Sequence, residues 1–169
     1  MHICDTSRLL IRELVVEDAP FILQLTNSEG WLQYIGDRGI RQLADAENYI
    51  VTGPQASYRQ WQHGLYLLQL KQEGTPIGIC GLLQRDYLPY KDIGFALLPD
   101  YNGKGYALEA AAAIIAHSKK LLGIEKFAAI TLPHNTRSIQ LLQKLGMLFD
   151  KHITAPGGKE ELMLFIGAA

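Results

Sequence analysis

Three β-rich segments followed by one long alanine-rich segment constrain the fold of this chain more than any other feature. The three segments cover residues 65–70, 76–84 and 92–98 and are separated by turn-forming residues, so they predict antiparallel strands joined in series. Residues 105–122 are rich in Ala, Leu and Ile, and Gly123 follows them as a residue suited to end a helix. These elements predict an antiparallel meander with a long helix beside it.

The rest of the sequence predicts further elements on both sides of this centre. Concentrations of branched apolar residues predict strands at residues 8–14, 127–132 and 161–166. Capping residues and apolar stripes predict helices over four segments: 17–27, 43–51, 55–62 and 136–145. The fold class is therefore α+β with a mixed sheet.

Composition limits the size and the partners of the protein. A chain of 169 residues with 48% apolar side chains forms one domain, spanning residues 1–169, and needs no disulfide to hold its core. A net charge of -1 disfavours nucleic acid as a partner, and no apolar run approaches the length of a membrane span. Cys4 and Cys80 form no disulfide framework, and no Cys/His cluster has zinc spacing, so we expect a reducing, cytoplasmic location and no metal.

The link between the third β-rich segment and the long helix contains two glycines, in the order Asn102-Gly103-Lys104-Gly105. A glycine turn at a helix start leaves backbone N–H groups unpaired where the helix dipole is positive, and such a site suits a pyrophosphate. Taken alone, the same pattern also describes an ordinary tight turn. Two familiar phosphate motifs are excluded: Leu108 stands where the dinucleotide fingerprint needs a third glycine, and the Gly-Lys pair is followed by Gly105 where the P-loop needs Ser or Thr.

The turn resembles the signature of the GCN5-related N-acetyltransferase (GNAT) family, which is Gln/Arg-x-x-Gly-x-Gly/Ala, and Asn102 departs from it at the first position. The resemblance is greatest to the branch of the family that acetylates ribosomal-protein N-termini. It rests on three further segments in the expected order, at residues 6–18, 77–82 and 135–147. It implies a twisted, mostly antiparallel sheet flanked by helices and splayed between its fourth and fifth strands, with acetyl-CoA in the opening.

The resemblance also implies which residues bind the cosubstrate. The pantetheine arm would pair with the backbone of Ala96, Leu97 and Leu98. The pyrophosphate would bind the turn that begins with Asn102, through the backbone amides of the residues after it: Gly103, Lys104, Gly105, Tyr106 and Ala107. Asn135 matches the family asparagine that touches pantetheine, and Ser138 matches a serine near the thiol. Both residues could instead cap a helix.

Acetyl transfer to an amine needs a neutral nitrogen, a group that stabilises the oxyanion and a group that protonates the thiolate as it leaves. Asp92 matches the position of the catalytic glutamate in histone-acetylating members and is the candidate base, acting through water because aspartate is short. Alternatively, Asp92 is an exposed acid at the start of a strand and has no catalytic role. Leu142 stands where many members have a tyrosine that protonates the thiolate, so Ser138 is the candidate proton or hydrogen-bond donor to the thiolate. The N–H of Leu97 or Leu98 is the candidate oxyanion donor.

Other polar and aromatic residues have weaker claims to function. His134 lies beside Asn135 and stays a candidate, whereas His117 is interpreted as a packing or surface residue. Glu109 is interpreted as an acid at the helix surface or first turn. Four aromatic residues of the helical segment could line an acceptor pocket, although aromatic side chains are more often core: Trp31, Tyr34, Tyr58 and Trp61.

These observations predict an acetyl-CoA-dependent N-acetyltransferase in which a primary amine attacks the thioester directly in a ternary complex. The acceptor is a protein N-terminal α-amine or a small amine, and residues 16–62 and 86–91 would select it. A CoA-binding sensor or interaction module of the same fold, without catalysis, is the alternative. A monomer and a homodimer both suit the composition.

Overall fold

The computed structural model describes all 169 residues, which form eight strands and six helices. The strands are β1 (His2–Asp5), β2 (Leu9–Glu13), β3 (Leu65–Leu70), β4 (Pro76–Leu83), β5 (Asp92–Leu97), β6 (Lys126–Thr131), β7 (Leu148–Thr154) and β8 (Glu161–Ala168). The helices are α1 (Ala19–Thr26), α2 (Glu29–Tyr34), α3 (Leu43–Thr52), α4 (Pro54–Trp61), α5 (Tyr106–Leu122) and α6 (Thr136–Lys144). None of these helices is both long and apolar enough to cross a membrane.

All eight strands belong to one sheet, in the order β1-β2-β3-β4-β5-β6-β8-β7. Every neighbouring pair is antiparallel except β5 and β6, which run parallel. Those two strands pair only where Asp92 meets Ala128, near the start of β5. Beyond that point they diverge, so the sheet is open between β5 and β6.

The two faces of the sheet are covered by different helices. Alternation along β4 and β5 sends Cys80, Leu82 and Ile93 into a core shared with α5, which contributes Ala111 and Ile114. The opposite face packs against α1, α2 and α3 in a second core that contains Leu67 and Ile79 from the strands. The meander is therefore covered on both sides, and the opening between β5 and β6 lies at the middle of the sheet.

The residues at the two ends of α5 explain its limits. It begins after Gly105, whose φ of 83° is a left-handed value that glycine adopts without strain. It ends at Gly123, where φ is 64° and the N–H donates to the carbonyl of Lys119. Lys119 and Lys120 lie in the last turn, where positive charge complements the helix dipole.

The sequence predicted the α+β class, the meander, the long helix with its Gly123 cap and the helix before Gly146, and all are confirmed. The splay is also confirmed. It lies between the strands predicted as fourth and fifth, which become β5 and β6 because β1 was missed. The prediction also missed α2, which is only six residues long, and β7. β7 is an edge strand exposed on nearly every residue, so it carries no apolar alternation that a sequence pattern could reveal.

Candidate functional site

A cleft of about 1320 Å³ runs from the opening in the sheet to the helical layer formed by α2 and α4. Its walls are β5, the turn that follows β5, the first turn of α5, α6, and residues of the loop before β8. This volume exceeds the roughly 300–1,000 Å³ of an ordinary ligand pocket. The cleft is therefore larger than one drug-sized ligand requires.

The exposed backbone of β5 forms one wall of the opening. The N–H of Leu98 donates to the carbonyl of Ile77 at 2.9 Å, so it is directed toward β4. Because paired and unpaired residues alternate in an antiparallel ladder, the N–H of Ala96 also faces β4, whereas the N–H groups of Phe95 and Leu97 face the opening. Of the three residues expected to pair with pantetheine, only Leu97 presents its N–H to the cleft. Leu98 is excluded as the oxyanion donor.

The turn after β5 presents a run of backbone N–H groups that have no partner within the protein. Gly103 and Gly105 have φ values of 74° and 83°, in the left-handed region. The backbone N–H groups of residues 103–108 donate no hydrogen bond within the protein, and they lie just before and within the first turn of α5, at its positive end. Six consecutive free donors of this kind fit the charge and the oxygen atoms of a diphosphate.

Two side chains of this turn contact other side chains. Lys104 places its ammonium 5.6 Å from the ring centre of Tyr101. Tyr106 packs edge-on against Tyr101 and lies beneath the guanidinium of Arg8. The side chain of Asn102 makes no hydrogen bond within the protein, although its backbone N–H donates to Pro99. The departure of Asn102 from the signature therefore leaves the backbone donors intact.

Asn135 and Ser138 lie at the start of α6 and line the same cleft. The side-chain oxygen of Asn135 accepts a hydrogen bond of 3.2 Å from the N–H of Ser138, so Asn135 caps the helix. Its amide nitrogen and the hydroxyl of Ser138 make no hydrogen bond within the protein. Capping and ligand contact are thus compatible, because they use different atoms of Asn135. Leu142, four residues after Ser138, is 1% exposed and belongs to the core shared with α5.

Asp92 is a buried carboxylate at the point where β5 and β6 separate. It is 1% exposed and lines the cleft, so it is not the exposed acid considered as the alternative. The Nε of Arg85 lies 3.2 Å from each of its carboxylate oxygens. Burial raises the pKa of Asp92 to about 6, against the opposing effect of the Arg85 guanidinium. A carboxylate with this pKa is ionised at pH 7 and is a stronger base than an ordinary aspartate.

Sequence reasoning missed Arg85 and underestimated Glu109. Arg85 lies in the loop between β4 and β5, and no local pattern links it to Asp92. Glu109 was interpreted as an acid of the helix surface or first turn, but it holds the residues that precede β2. Although burial opposes its ionisation, hydrogen bonds from Thr6, Arg8 and Ser7 lower the pKa of Glu109 to about 2. The only signal in the sequence was its position in the first turn of the long helix.

The remaining candidates separate into lining and structural residues. Trp31, Tyr34 and Trp61 line the cleft, whereas Tyr58 stacks on Tyr66 and donates to the carbonyl of Leu65. His134 is exposed and does not line the cleft, although its ring lies 5.8 Å from that of Tyr34, which does. The protein has no group of three or more His, Cys, Asp or Glu side chains that could hold a metal ion.

The sheet opens beside β5, which is paired with β4 on its other side, and a turn with free backbone N–H groups follows that strand. This arrangement suits an extended, diphosphate-bearing ligand. A family model for the acetyltransferase (GNAT) domain matches residues 8–148. The chain therefore belongs to the GNAT acetyltransferase family, and its acyl donor is acetyl-CoA.

Known proteins extend the likeness to the whole chain. An uncharacterised N-acetyltransferase of Bacillus subtilis, YnaD, is 29% identical over 147 residues, which is 87% of this chain and 82% of that protein. A GNAT-family acetyltransferase from Bacillus anthracis has the same fold, with a TM-score of 0.81, 23% identity and coverage of 99% and 98% of the two chains. RimL, a ribosomal L7/L12 α-N-protein acetyltransferase solved with coenzyme A, gives a TM-score of 0.85 at 14% identity, with 99% and 98% covered.

Proposed function

We propose that this acetyltransferase moves the acetyl group of acetyl-CoA to a primary amine by direct attack in a ternary complex. The observation that carries the proposal is the buried carboxylate of Asp92, whose pKa is raised to about 6, in the wall of the cleft that also contains the free N–H groups of the turn. Acetyl-CoA supplies an activated acyl group and a thiolate leaving group. The protein supplies the base, the donors and the orientation.

Asp92 acts as the general base. An amine attacks only when its nitrogen carries a lone pair, so a proton must leave the nitrogen before or during attack. Asp92 is almost fully covered, and we expect one water to relay that proton to its carboxylate. Arg85 keeps the carboxylate oriented toward the cleft by bonding both of its oxygens.

Two other groups complete the proposed chemistry. The N–H of Leu97 faces the opening and would donate to the carbonyl oxygen as it gains negative charge. The hydroxyl of Ser138 is free within the protein and would donate to the departing thiolate. An ordinary thiol has a pKa near 8.5, so a weak donor is sufficient.

The basicity of Asp92 favours an α-amine as the acceptor. At pH 7 about one tenth of an α-amine with a pKa near 8 is neutral, against less than about one thousandth of an alkyl amine with a pKa near 10.4. A carboxylate with a pKa of about 6 can accept a proton from an α-ammonium group much more readily than from an alkylammonium group, because the difference in pKa is smaller. We therefore place protein N-termini, including those of ribosomal proteins, ahead of lysine-like amines.

The charge of the cleft argues against a polycationic acceptor such as a polyamine. Five basic residues line it: Arg38, Arg85, Arg137, Lys144 and Lys159. Three acidic residues line it: Glu29, Asp92 and Glu160. The two acids of α3 that could have attracted a polycation, Asp45 and Glu47, lie outside the cleft. A small amine of low charge stays the alternative to a peptide.

Acetyl-CoA binding tests the first half of the proposal. At a hundred times its dissociation constant a ligand adds about 2.7 kcal/mol, so we expect acetyl-CoA to raise the melting temperature by roughly 5 to 10 °C while NAD leaves it unchanged. Thiol release from acetyl-CoA is then followed across a panel of peptides with free N-termini, small amines and a polyamine. Release that depends on the acceptor supports the enzyme. Binding without release from any acceptor would support a CoA sensor instead.

Substitution of Cys80 tests direct attack. Cys80 is fully buried in the core, and burial raises the pKa of its thiol, so it cannot serve as an acyl-carrying nucleophile. We expect Cys80→Ala to keep the wild-type turnover number and CoA affinity, at the cost of some stability from the cavity. Loss of turnover in a folded variant with normal CoA affinity would argue for a covalent acyl-cysteine route.

A further inference from the structure

The first turn of α5 is tied to the beginning of the chain by a single carboxylate. Oε1 of Glu109 accepts hydrogen bonds from the hydroxyl of Thr6 at 2.5 Å, the hydroxyl of Ser7 at 3.1 Å and the backbone N–H of Arg8 at 3.0 Å. Oε2 lies 2.7 Å from Nε and 2.6 Å from a terminal nitrogen of Arg8. Both oxygens of Glu109 are thus fully engaged by residues 6–8.

Arg8 in turn contacts the glycine turn. One terminal nitrogen of its guanidinium donates to the carbonyl of Lys104 at 2.9 Å. The guanidinium lies 4.2 Å from the ring centre of Tyr106. The other terminal nitrogen is 3.4 Å from the place that a Cβ on Gly105 would occupy. Arg8 therefore packs against the turn from Lys104 to Tyr106 and bonds to its backbone.

The bond to Lys104 sets the direction of the next donor. In a trans peptide the C=O and the following N–H are directed to opposite sides. When Arg8 holds the carbonyl of Lys104, the N–H of Gly105 is directed away from Arg8. That N–H is one of the six free donors, and the conformational freedom of Gly105, with Gly103 one residue further back, would otherwise let this peptide rotate.

We propose that Glu109 and Arg8 are positioning residues for the diphosphate of acetyl-CoA: Glu109 orients the Arg8 guanidinium, and Arg8 fixes the Lys104–Gly105 peptide so that its N–H faces the ligand. This inference rests on the proposed function of the turn. The pair acts through the backbone, because the positive charge of Arg8 is already matched by Glu109. The pKa of Glu109, about 2, keeps the carboxylate ionised throughout the working pH range.

The test compares Glu109→Gln, Arg8→Ala and the double variant with Asp18→Asn. Asp18 makes a similar two-pronged ion pair with Arg12, at 2.8 Å for each contact, far from the turn. We expect Glu109→Gln and Arg8→Ala each to raise the calorimetric Kd for CoA and the KM for acetyl-CoA about tenfold. The turnover number should stay within about twofold of the wild type, because the reacting atoms are untouched. Asp18→Asn should leave the Kd and the KM unchanged.

The double variant and a truncated donor separate positioning from other roles. If the two residues act in one chain of contacts, the double variant weakens CoA binding no more than either single variant does. S-acetylpantetheine lacks the diphosphate, so all three variants should use it as the wild type does. An equal loss of activity with acetyl-CoA and with S-acetylpantetheine would overturn the inference in favour of a general folding role. A loss in Arg8→Ala without one in Glu109→Gln would overturn it in favour of direct phosphate binding by Arg8.

The failure of the proposed function gives a different result. If no acceptor releases thiol in the wild type, but the Kd for CoA still rises tenfold in both single variants, the positioning role holds for a CoA-binding protein without acetyl transfer. If release is normal and the Kd is unchanged in both variants, the acetyltransferase activity holds and the positioning role is wrong.

Discussion

Asp92→Asn is expected to lower the turnover number about 100- to 1,000-fold, within the range of roughly 100- to 10,000-fold that a general base contributes. Asparagine has the same shape and still accepts a hydrogen bond from Arg85, but it cannot take a proton. Arg85 loses its counter-charge in the variant and is 32% exposed, so it can be solvated without unfolding the site. The Kd for CoA should be unchanged, because Asp92 does not contribute to the turn.

The pH dependence gives a second signature of the same residue. A base must be deprotonated, so the wild-type rate, corrected for the neutral fraction of the amine, should fall as the pH falls through about 6. The Asp92→Asn variant should lack this fall in rate at low pH. Glu160→Gln removes another acid that lines the cleft, and it should retain both the wild-type rate and the fall in rate at low pH. A folded Asp92→Asn variant with wild-type turnover would exclude Asp92 as the base.

Gly103→Ala is expected to weaken CoA binding about 10- to 100-fold, since a left-handed backbone costs an L-residue roughly 1–2 kcal/mol and the strained turn re-aims its N–H groups. The φ of Gly103 is 74°, and a Cβ there would meet nothing within 4 Å, so backbone conformation alone causes the effect. Calorimetry with CoA measures it.

The same helix offers a matched control for Gly103→Ala. Gly123 lies at the other end of α5 with a φ of 64°, and a Cβ there would also meet nothing within 4 Å. Gly123→Ala should lower the melting temperature about as much as Gly103→Ala while leaving the Kd for CoA unchanged. Equal weakening of CoA by both substitutions would show that the turn has no special part in binding.

The sequence predicted the elements of this fold wherever apolar periodicity was strong. The meander and α5 were placed within one or two residues because both bury a face along their whole length. β7 and α2 were missed for the opposite reason, since one is an exposed edge strand and the other is short. The burial pattern of an element and its length together decided which elements could be recognised.

The candidate site was only partly accessible to sequence reasoning. The donors of the turn follow from two glycines before a helix, a local pattern that can be read directly. The link between Arg8 and Glu109 joins residues 101 positions apart, and the pair of Arg85 with Asp92 depends on how one loop folds back. The direction of the Leu98 N–H depends on strand register, which sequence alone does not fix.

The gap between β5 and β6 has a consequence for the energetics of donor binding. Helix α5 packs its Ala110, Ala111 and Ile114 in one core with Ile93 of β5 and Phe127 of β6, so side chains on both strands are held apart by the same helix. The slot therefore exists before any ligand arrives. A ligand that enters it requires little rearrangement of the protein, so less of its contact energy is lost to reorganisation on binding.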